Sequence, residues 1–179
     1  LSGFPKERVI GSGTVLDTSR LKYVIGKYFE VNNNNVHGYV MGEHGDSEVV
    51  TWSSASIAGE SFESFAKQNN LEWDCEIQRV IENDVKNAAY EIIERKKATY
   101  FAIGLSVNRI VEAIFRDENS ILTVSSLFTG EYDIKDMYLA VPTIINRKGA
   151  VMVIETPLSK EEKEKLQKSS VILKKHLNE

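Results

Sequence analysis

Apolar side chains recur with the period of an α-helix through one part of the chain and lose that period in the next. Over residues 73–95 and again over 99–115, they fall three or four positions apart, as one buried helix face requires. The segments 121–127, 138–146 and 150–155 are instead short and β-rich. Because helices and strands are segregated rather than alternating, the sequence predicts an α+β fold, with long helices packed on antiparallel strands and hairpins.

The same patterns predict the remaining elements. Helices are predicted over 15–29, 62–68 and 159–177, and short strands over 37–41 and 48–52. The last helix begins at a capping box, because Ser159 is followed three residues later by Glu162. The turn 146–149 joins two predicted strands and therefore indicates an antiparallel hairpin.

The size and charge of the chain exclude several function classes. It has 179 residues, enough for one domain, and a net charge of −4 without a basic stripe, so no nucleic acid is predicted as a partner. No apolar run is long enough to span a bilayer, so no membrane is predicted either. The single cysteine excludes an intrachain disulfide and is typical of the reducing cytoplasm.

Two short motifs carry the candidate chemistry. His44 lies between glycines in the segment 42–46, and Asp17 and Arg20 lie three residues apart on the first predicted helix. Histidine can accept and donate a proton near neutral pH, and the planar guanidinium of arginine binds a carboxylate through two hydrogen bonds. Either Asp17 or Asp46 could orient the imidazole. The combination suits a small acid whose hydroxyl group is deprotonated.

Each motif also has a purely structural interpretation. His44 alone could be an ordinary histidine of a surface loop, and Arg20 alone could form an exposed ion pair with Asp17 of a few tenths of a kcal/mol. The segment 11–14 lacks the third glycine and the preceding strand of a dinucleotide fingerprint, so it is interpreted as a tight loop that enters a helix. The histidines do not have metal-ligand spacing, and no metal is predicted.

The motifs taken together resemble those of bacterial L-lactate dehydrogenases, within the lactate/malate dehydrogenase superfamily. The resemblance rests on the segments 11–20, 42–46 and 97–99, and it covers the whole chain but only the C-terminal half of the family's enzyme. The chain also begins at Leu1 without a start methionine or a signal peptide. Residues 1–179 are therefore expected to be a C-terminal substrate and catalytic domain whose N-terminal NAD-binding Rossmann domain is absent.

The resemblance implies a role for each matching residue. His44 would exchange the proton between lactate and pyruvate, Asp17 would orient it, and Arg20 would bind the substrate carboxylate. The remaining substrate-binding positions would be Thr18, Ser19 and Thr99, and Ile103 would pack near the nicotinamide of NAD. Lys97 is a departure, since the family usually has glycine before the Ala-Thr pair.

The resemblance also implies an assembly and a regulator. Bacterial members are typically homotetramers of glycolysis and fermentation, and many bind fructose 1,6-bisphosphate at a subunit interface. The matching positions are Lys22 and His37. The family commonly has arginine at the first position, and a lysine ammonium is a point charge rather than a planar fork. The sequence therefore leaves two alternatives open: an activator site at these positions, or residues with no role in binding a bisphosphate.

Two function classes are left open. The first is the catalytic half of a 2-hydroxy acid dehydrogenase, with lactate as the first substrate and malate or 2-hydroxyisocaproate as alternatives. The second is an isolated oligomerisation domain without activity, because a domain separated from its partner exposes apolar surface that tends to associate. The residues that best separate the substrates would lie in the missing half.

Overall fold

Helices and antiparallel strands occupy separate stretches of the chain in the computed structural model, which describes residues 2–96 and 100–176. The helices are α1 (Val15–Tyr28), α2 (Phe62–Gln68), α3 (Cys75–Lys96), α4 (Tyr100–Phe115) and α5 (Lys160–His176). The strands are β1 (Val36–His37), β2 (Val40–Met41), β3 (Val49–Val50), β4 (Ser56–Ile57), β5 (Glu60–Ser61), β6 (Ser120–Thr129), β7 (Lys135–Asn146) and β8 (Gly149–Val153). None of the described helices is both long and apolar enough to cross a membrane. The predicted α+β architecture is confirmed.

The largest sheet is built from β6, β7 and β8, in that order. Both pairings are antiparallel, and β6 pairs with β7 along nearly its whole length. Asn146 is paired with Gly149 across the turn between β7 and β8, so the predicted hairpin is confirmed. This sheet is the platform on which α1, α4 and α5 pack.

Three apolar clusters connect the elements. One joins the sheet to α5 through Phe128, Leu139 and Leu166, and another joins it to α1 and α4 through Val124 and Ile110. The third packs α1 against α3 and the short strands, and its members include Leu21, Ile25, Phe29, Ile81 and Val85. Helix α1 contributes to two of the three clusters and is therefore the central helix.

Buried threonines fix the beginning of α1. Thr14 Oγ1 donates a hydrogen bond of 2.5 Å to the carbonyl oxygen of Val40, and the Val40 amide donates to Thr18 Oγ1 at 3.0 Å. The Thr18 and Thr123 hydroxyl groups lie 2.9 Å apart. These bonds hold the first turn of α1 against β2 and β6, and so against the loop that follows β2.

The short strands differ from the prediction in detail. The strand expected over 37–41 is two strands, because β1 pairs with β4 while β2 pairs with β3. The hairpin of β4 and β5 was not predicted. Its turn residues Ala58 and Gly59 both have positive φ angles, as a type I′ turn requires, but alanine is not a signal for such a turn.

The capping box at the start of α5 is confirmed. The Glu162 amide donates to Ser159 Oγ at 3.2 Å, and the Ser159 amide donates to Glu162 Oε2 at 2.8 Å. Glu162 Oε1 also accepts a bond of 2.9 Å from the amide of Ser53. The cap therefore also connects α5 to the turn after β3.

Candidate active site

The candidate catalytic groups come from two elements that the threonine bonds bring together. Asp17 lies in the first turn of α1, and His44 lies in the loop 42–48 between β2 and β3. Asp17 Oδ2 is 2.7 Å from His44 Nδ1. Of the two carboxylates that the residue types alone left open, the one that contacts the imidazole is Asp17, the residue that the family resemblance singled out.

Asp17 binds an arginine with its second oxygen. Asp17 Oδ1 accepts a hydrogen bond of 3.1 Å from Arg20 Nη1, and the two side chains are 2% and 13% exposed. The Asp17–Arg20 pair is therefore not the exposed surface pair that a purely structural interpretation of the sequence expects, because burial removes most of the solvent screening. Within the described ranges the other N–H groups of Arg20 form no hydrogen bond, so they are available to a ligand carboxylate.

The environment of His44 favours the imidazolium. The hydrogen bond to Asp17 is the largest influence and raises the pKa of His44 above its ordinary value. Partial burial opposes this rise, the charges of Asp17 and Glu48 add to it, and the charge of Arg20 reduces it. Because Nδ1 faces Asp17, Nε2 is the nitrogen that can meet a substrate. The His44 side chain is 57% exposed, so a substrate can reach it.

The loop that carries His44 is fixed from α5. The Glu43 amide donates to Ser169 Oγ at 2.8 Å, and the hydroxyl groups of Ser47 and Ser169 lie 3.0 Å apart. Gly42 has a φ angle of +97°, and a Cβ atom there would lie 2.7 Å from Ser169 Oγ. Glycine is therefore required where the loop leaves β2.

A second carboxyl group, Glu48, was not anticipated from the sequence. Its residue is only 8% exposed, and burial, followed by the charge of Asp17, raises the pKa of Glu48 to about 8. Among the residues that the structure describes, Glu48 Oε1 has no hydrogen-bond partner. Its position directly before the apolar pair of β3 is a local sign of burial, but no local signal reveals its proximity to Asp17.

Asp17, His44 and Glu48 are also the described side chains best placed to ligate a cation. One ligand atom from each lies within 4.8 Å of the other two. Asp17, however, already binds an imidazole with one oxygen and the Arg20 guanidinium with the other. A cation would have to displace these partners beside a positive charge, so the arrangement favours proton exchange over metal binding.

Comparison with known proteins shows which family the chain belongs to. A profile described as lactate/malate dehydrogenase, alpha/beta C-terminal domain, matches residues 14–179. The chain belongs to this family. The resemblance inferred from the motifs and the fold that it implied are both confirmed.

Individual members of the family are similar over almost the whole chain. An L-lactate dehydrogenase of Clostridium perfringens is 56% identical over 99% of the chain, and L-lactate dehydrogenase 1 of Clostridium acetobutylicum is 54% identical over 99%. The crystal structure of the minor L-lactate dehydrogenase from Enterococcus mundtii in its ligand-bound form superposes with a TM-score of 0.94 at 41% identity, and also covers 99% of the chain. The chain spans 56% of the Clostridium perfringens and Enterococcus mundtii proteins and 57% of the Clostridium acetobutylicum protein.

The other substrate and cofactor residues that the family resemblance singles out, as far as the structure describes them, lie on α1 and α4. The Thr18 hydroxyl is committed to Val40 and Thr123, and Ser19 Oγ donates to the carbonyl oxygen of Val15 at 2.9 Å. Ile103 lies half-buried on α4. Thr99 and Lys97 lie outside the described residues. The substrate-binding roles of Thr18, Ser19 and Thr99 stay predictions.

The two positions matched to an activator site lie on different elements. Lys22 is on α1 and lines a cavity of about 480 Å³, together with Ser19, Asn33, Asn34 and Arg109. Burial lowers the pKa of Lys22, and its Nζ lies 6.0 Å from the centre of the Tyr39 ring. His37 is exposed in β1. Neither forms an ion pair within the described part of the chain, so both remain open to an anion.

Proposed function

We propose that this chain is the substrate-binding and catalytic half of an NAD-dependent L-lactate dehydrogenase that interconverts lactate and pyruvate. The observation that supports this most directly is Asp17, which binds His44 with one carboxylate oxygen and Arg20 with the other. A proton exchanger and a carboxylate anchor are thereby held by a single buried group. Similarity to the Clostridium L-lactate dehydrogenases supports the choice of substrate.

His44 acts as the general acid and base in this proposal. In the direction of pyruvate reduction, the imidazolium donates its Nε2 proton to the carbonyl oxygen at C2. In the direction of lactate oxidation, the neutral ring accepts the proton of the hydroxyl group. Asp17 holds the ring through Nδ1–H and stabilises the imidazolium, which keeps Nε2 directed to the substrate.

Arg20 acts as the anchor of the substrate. Two guanidinium N–H groups would bind the carboxylate at C1 and fix the position of C2 relative to His44. Bound NAD would supply the hydride chemistry at C2. Of the residues present here, Ile103 offers an apolar contact to the nicotinamide, and the rest of the cofactor site is expected in the other half of the protein.

The substrate is tested with the complete protein that contains this domain. Malate and 2-hydroxyisocaproate are the rival 2-hydroxy acids, so NADH oxidation is compared with pyruvate, oxaloacetate and 2-ketoisocaproate. The highest kcat/KM with pyruvate supports the proposal, and a preference for either of the others replaces lactate with that acid. The 179-residue chain alone is expected to be inactive, and turnover of NADH with pyruvate by the purified chain would contradict this.

A second candidate function is assembly. Helix α4 exposes large apolar side chains, among them Phe101 at 85%, Leu105 at 71% and Phe115 at 78%. Exposed apolar surface of this kind tends to be covered by a partner. We infer a homotetramer for the complete protein and self-association for the chain. A sharp monomer peak in size-exclusion chromatography would count against self-association.

Regulation by fructose 1,6-bisphosphate is proposed for Lys22 and His37. Neither side chain forms an ion pair within the described ranges, and a bisphosphate requires positively charged partners at both ends. Isothermal titration calorimetry of the complete enzyme, combined with an activity assay, tests this. If neither binding heat nor activation is observed, the activator is discarded while the catalytic proposal stands.

A further inference from the structure

We propose that Glu48 is a positioning residue that acts through His44: the charge of its carboxyl group, held close to the imidazole, sets the pH at which His44 changes charge. The inference rests on the proposed role of His44 as acid and base. The geometric basis is that Asp17, His44 and Glu48 each place a polar side-chain atom within 4.8 Å of the other two.

The backbone holds Glu48 at this place. The Glu48 amide donates to the carbonyl oxygen of Gly45 at 3.2 Å, which folds the loop back on itself. The next residue, Val49, pairs with Met41, so the two ends of the loop are joined by the β2–β3 ladder. His44 and Glu48 therefore belong to one closed loop, and neither can move far from the other.

Burial disfavours the ionised form of Glu48. The residue is 8% exposed, and within the described ranges its Oε1 atom has no donor to satisfy it, so an ionised carboxylate is poorly stabilised. A second buried carboxylate, Asp17, repels the same charge. Both effects raise the pKa of Glu48, to about 8, and a neutral carboxyl group is the form that the substrate-free site favours near neutral pH.

The charged groups that influence Glu48 come from α1, from α3 and from its own loop. Asp17 on α1 disfavours its ionisation, whereas Arg20 on α1, Lys86 on α3 and His44 in the loop favour it. In return, the ionised Glu48 raises the pKa of His44. Two groups that interact in this way titrate as a pair, with macroscopic steps that belong to both.

The pairing has a direct consequence for the proton on His44. When Glu48 ionises, its negative charge retains the imidazolium to higher pH than Asp17 alone would. The enzyme would therefore keep the acid form, which pyruvate reduction needs, over a wider pH range. Exchanging the carboxyl group for an amide removes this charge while keeping the size of the side chain.

The experiment is an NMR titration of the imidazole signals in the 179-residue chain. The chain has three histidines, so His44 is assigned by the signal lost in His44→Gln, and His37 and His176 serve as internal controls. In the unchanged chain, the His44 curve is expected to spread over two steps. In Glu48→Gln it should become a single step whose midpoint is lower by roughly half a unit to two units, while the control histidines do not move.

Two further variants separate charge from structure. Glu48→Asp keeps a carboxyl group and is expected to keep the spread curve, whereas Glu162→Gln changes another buried carboxyl group away from the site and should leave His44 unchanged. An identical His44 midpoint in the unchanged chain and in Glu48→Gln would overturn the inference. If Glu48→Gln does not fold, a simple one-step curve for His44 in the unchanged chain overturns it equally.

These readouts do not depend on catalysis. A shifted His44 midpoint with an inactive complete enzyme would retain the coupling and reject the proposed reaction. In an active complete enzyme, Glu48→Gln should move the alkaline limb of kcat/KM for pyruvate to lower pH, because the imidazolium is lost earlier. If Glu48→Gln changes neither the pH profile of kcat/KM nor the NMR midpoint of His44, the coupling is rejected while the proposed reaction stands.

Discussion

Asp17 Oδ2 lies 2.7 Å from His44 Nδ1, although the two residues are 27 positions apart in the chain. Two independent sets of bonds create this distance. Thr18 holds α1 against Val40 of β2, and Ser169 of α5 holds the loop that carries His44. The charged pair is therefore positioned before any substrate arrives, which is the condition for effective electrostatic stabilisation.

Replacing His44 with glutamine should remove the proton exchange. In the complete enzyme, kcat for pyruvate reduction is expected to fall by about 10²- to 10⁴-fold, since glutamine cannot transfer a proton. The decrease in NADH absorbance measures it. His176→Gln, at the exposed end of α5, is the matched control and should retain activity. Unchanged turnover in His44→Gln would refute the assigned role.

Replacing Asp17 with asparagine should lower the pKa of His44. The hydrogen bond to Asp17 is the main cause of the raised pKa, and an amide lacks the negative charge that stabilises the imidazolium. The midpoint of the His44 titration is therefore expected to fall. Asp46→Asn is the matched control, because Asp46 is exposed in the same loop. If Asp46→Asn had the larger effect, the orienting carboxylate would have been assigned wrongly.

Replacing Arg20 with lysine should weaken substrate binding more than it slows the chemical step. A lysine ammonium cannot form the two parallel hydrogen bonds of a guanidinium, so kcat/KM for pyruvate should fall by about 10- to 100-fold, mainly through KM. Arg79→Lys is the control, since Arg79 forms an ion pair of the same i,i+3 spacing with Glu76 but is 68% exposed. Equal effects of the two variants would mean that Arg20 has only a surface role.

Helix positions could be predicted because burial of one face imposes a period. Leu21 and Ile25 of α1 are nearly inaccessible, and they recur at the spacing that the prediction used. The capping box of Ser159 and Glu162 is equally local and was also predicted. The two-residue strands β4 and β5 contain no period at all, so their hairpin could not be anticipated.

The candidate site could likewise be predicted only in part from the sequence. Asp17, Arg20 and His44 could be predicted because each belongs to a short motif whose residue types indicate the chemistry. The residue types alone left Asp17 and Asp46 open, and the family resemblance implied Asp17. The inclusion of Glu48 depends on how α1 packs against a loop that lies far away in sequence. Contacts between distant segments leave no periodic or local trace, so the proximity of Glu48 required the structure.

Replacing Gly42 with alanine should destabilise the loop through two effects. A positive φ angle costs an L-residue about 1–2 kcal/mol, and the new Cβ would lie 2.7 Å from Ser169 Oγ. Gly59→Ala is the control, because Gly59 has a φ angle of +82° but no atom within 4 Å of such a Cβ. Urea unfolding should show the larger loss for Gly42→Ala. Equal losses would mean that Ser169 accommodates the methyl group.

Replacing Glu48 with glutamine should change how stability depends on pH. The pKa of Glu48 is about 8 in the folded chain against an ordinary value of 4.5, so between these values the folded state retains a proton that the unfolded state has released. The free energy of unfolding therefore falls as pH rises through this window, by about 1.4 kcal/mol for each unit of pKa difference.

The glutamine variant lacks this proton and should lose that part of the slope. Because the pKa of His44 is also raised, its contribution falls in the same direction, and the difference between the unchanged chain and Glu48→Gln reports Glu48 together with the part of the His44 shift that depends on the Glu48 charge. Urea unfolding at intervals from pH 5 to pH 8 is expected to show the variant gaining on the unchanged chain as pH rises. Parallel curves for the unchanged chain and Glu48→Gln would show that Glu48 is ionised in the folded state throughout.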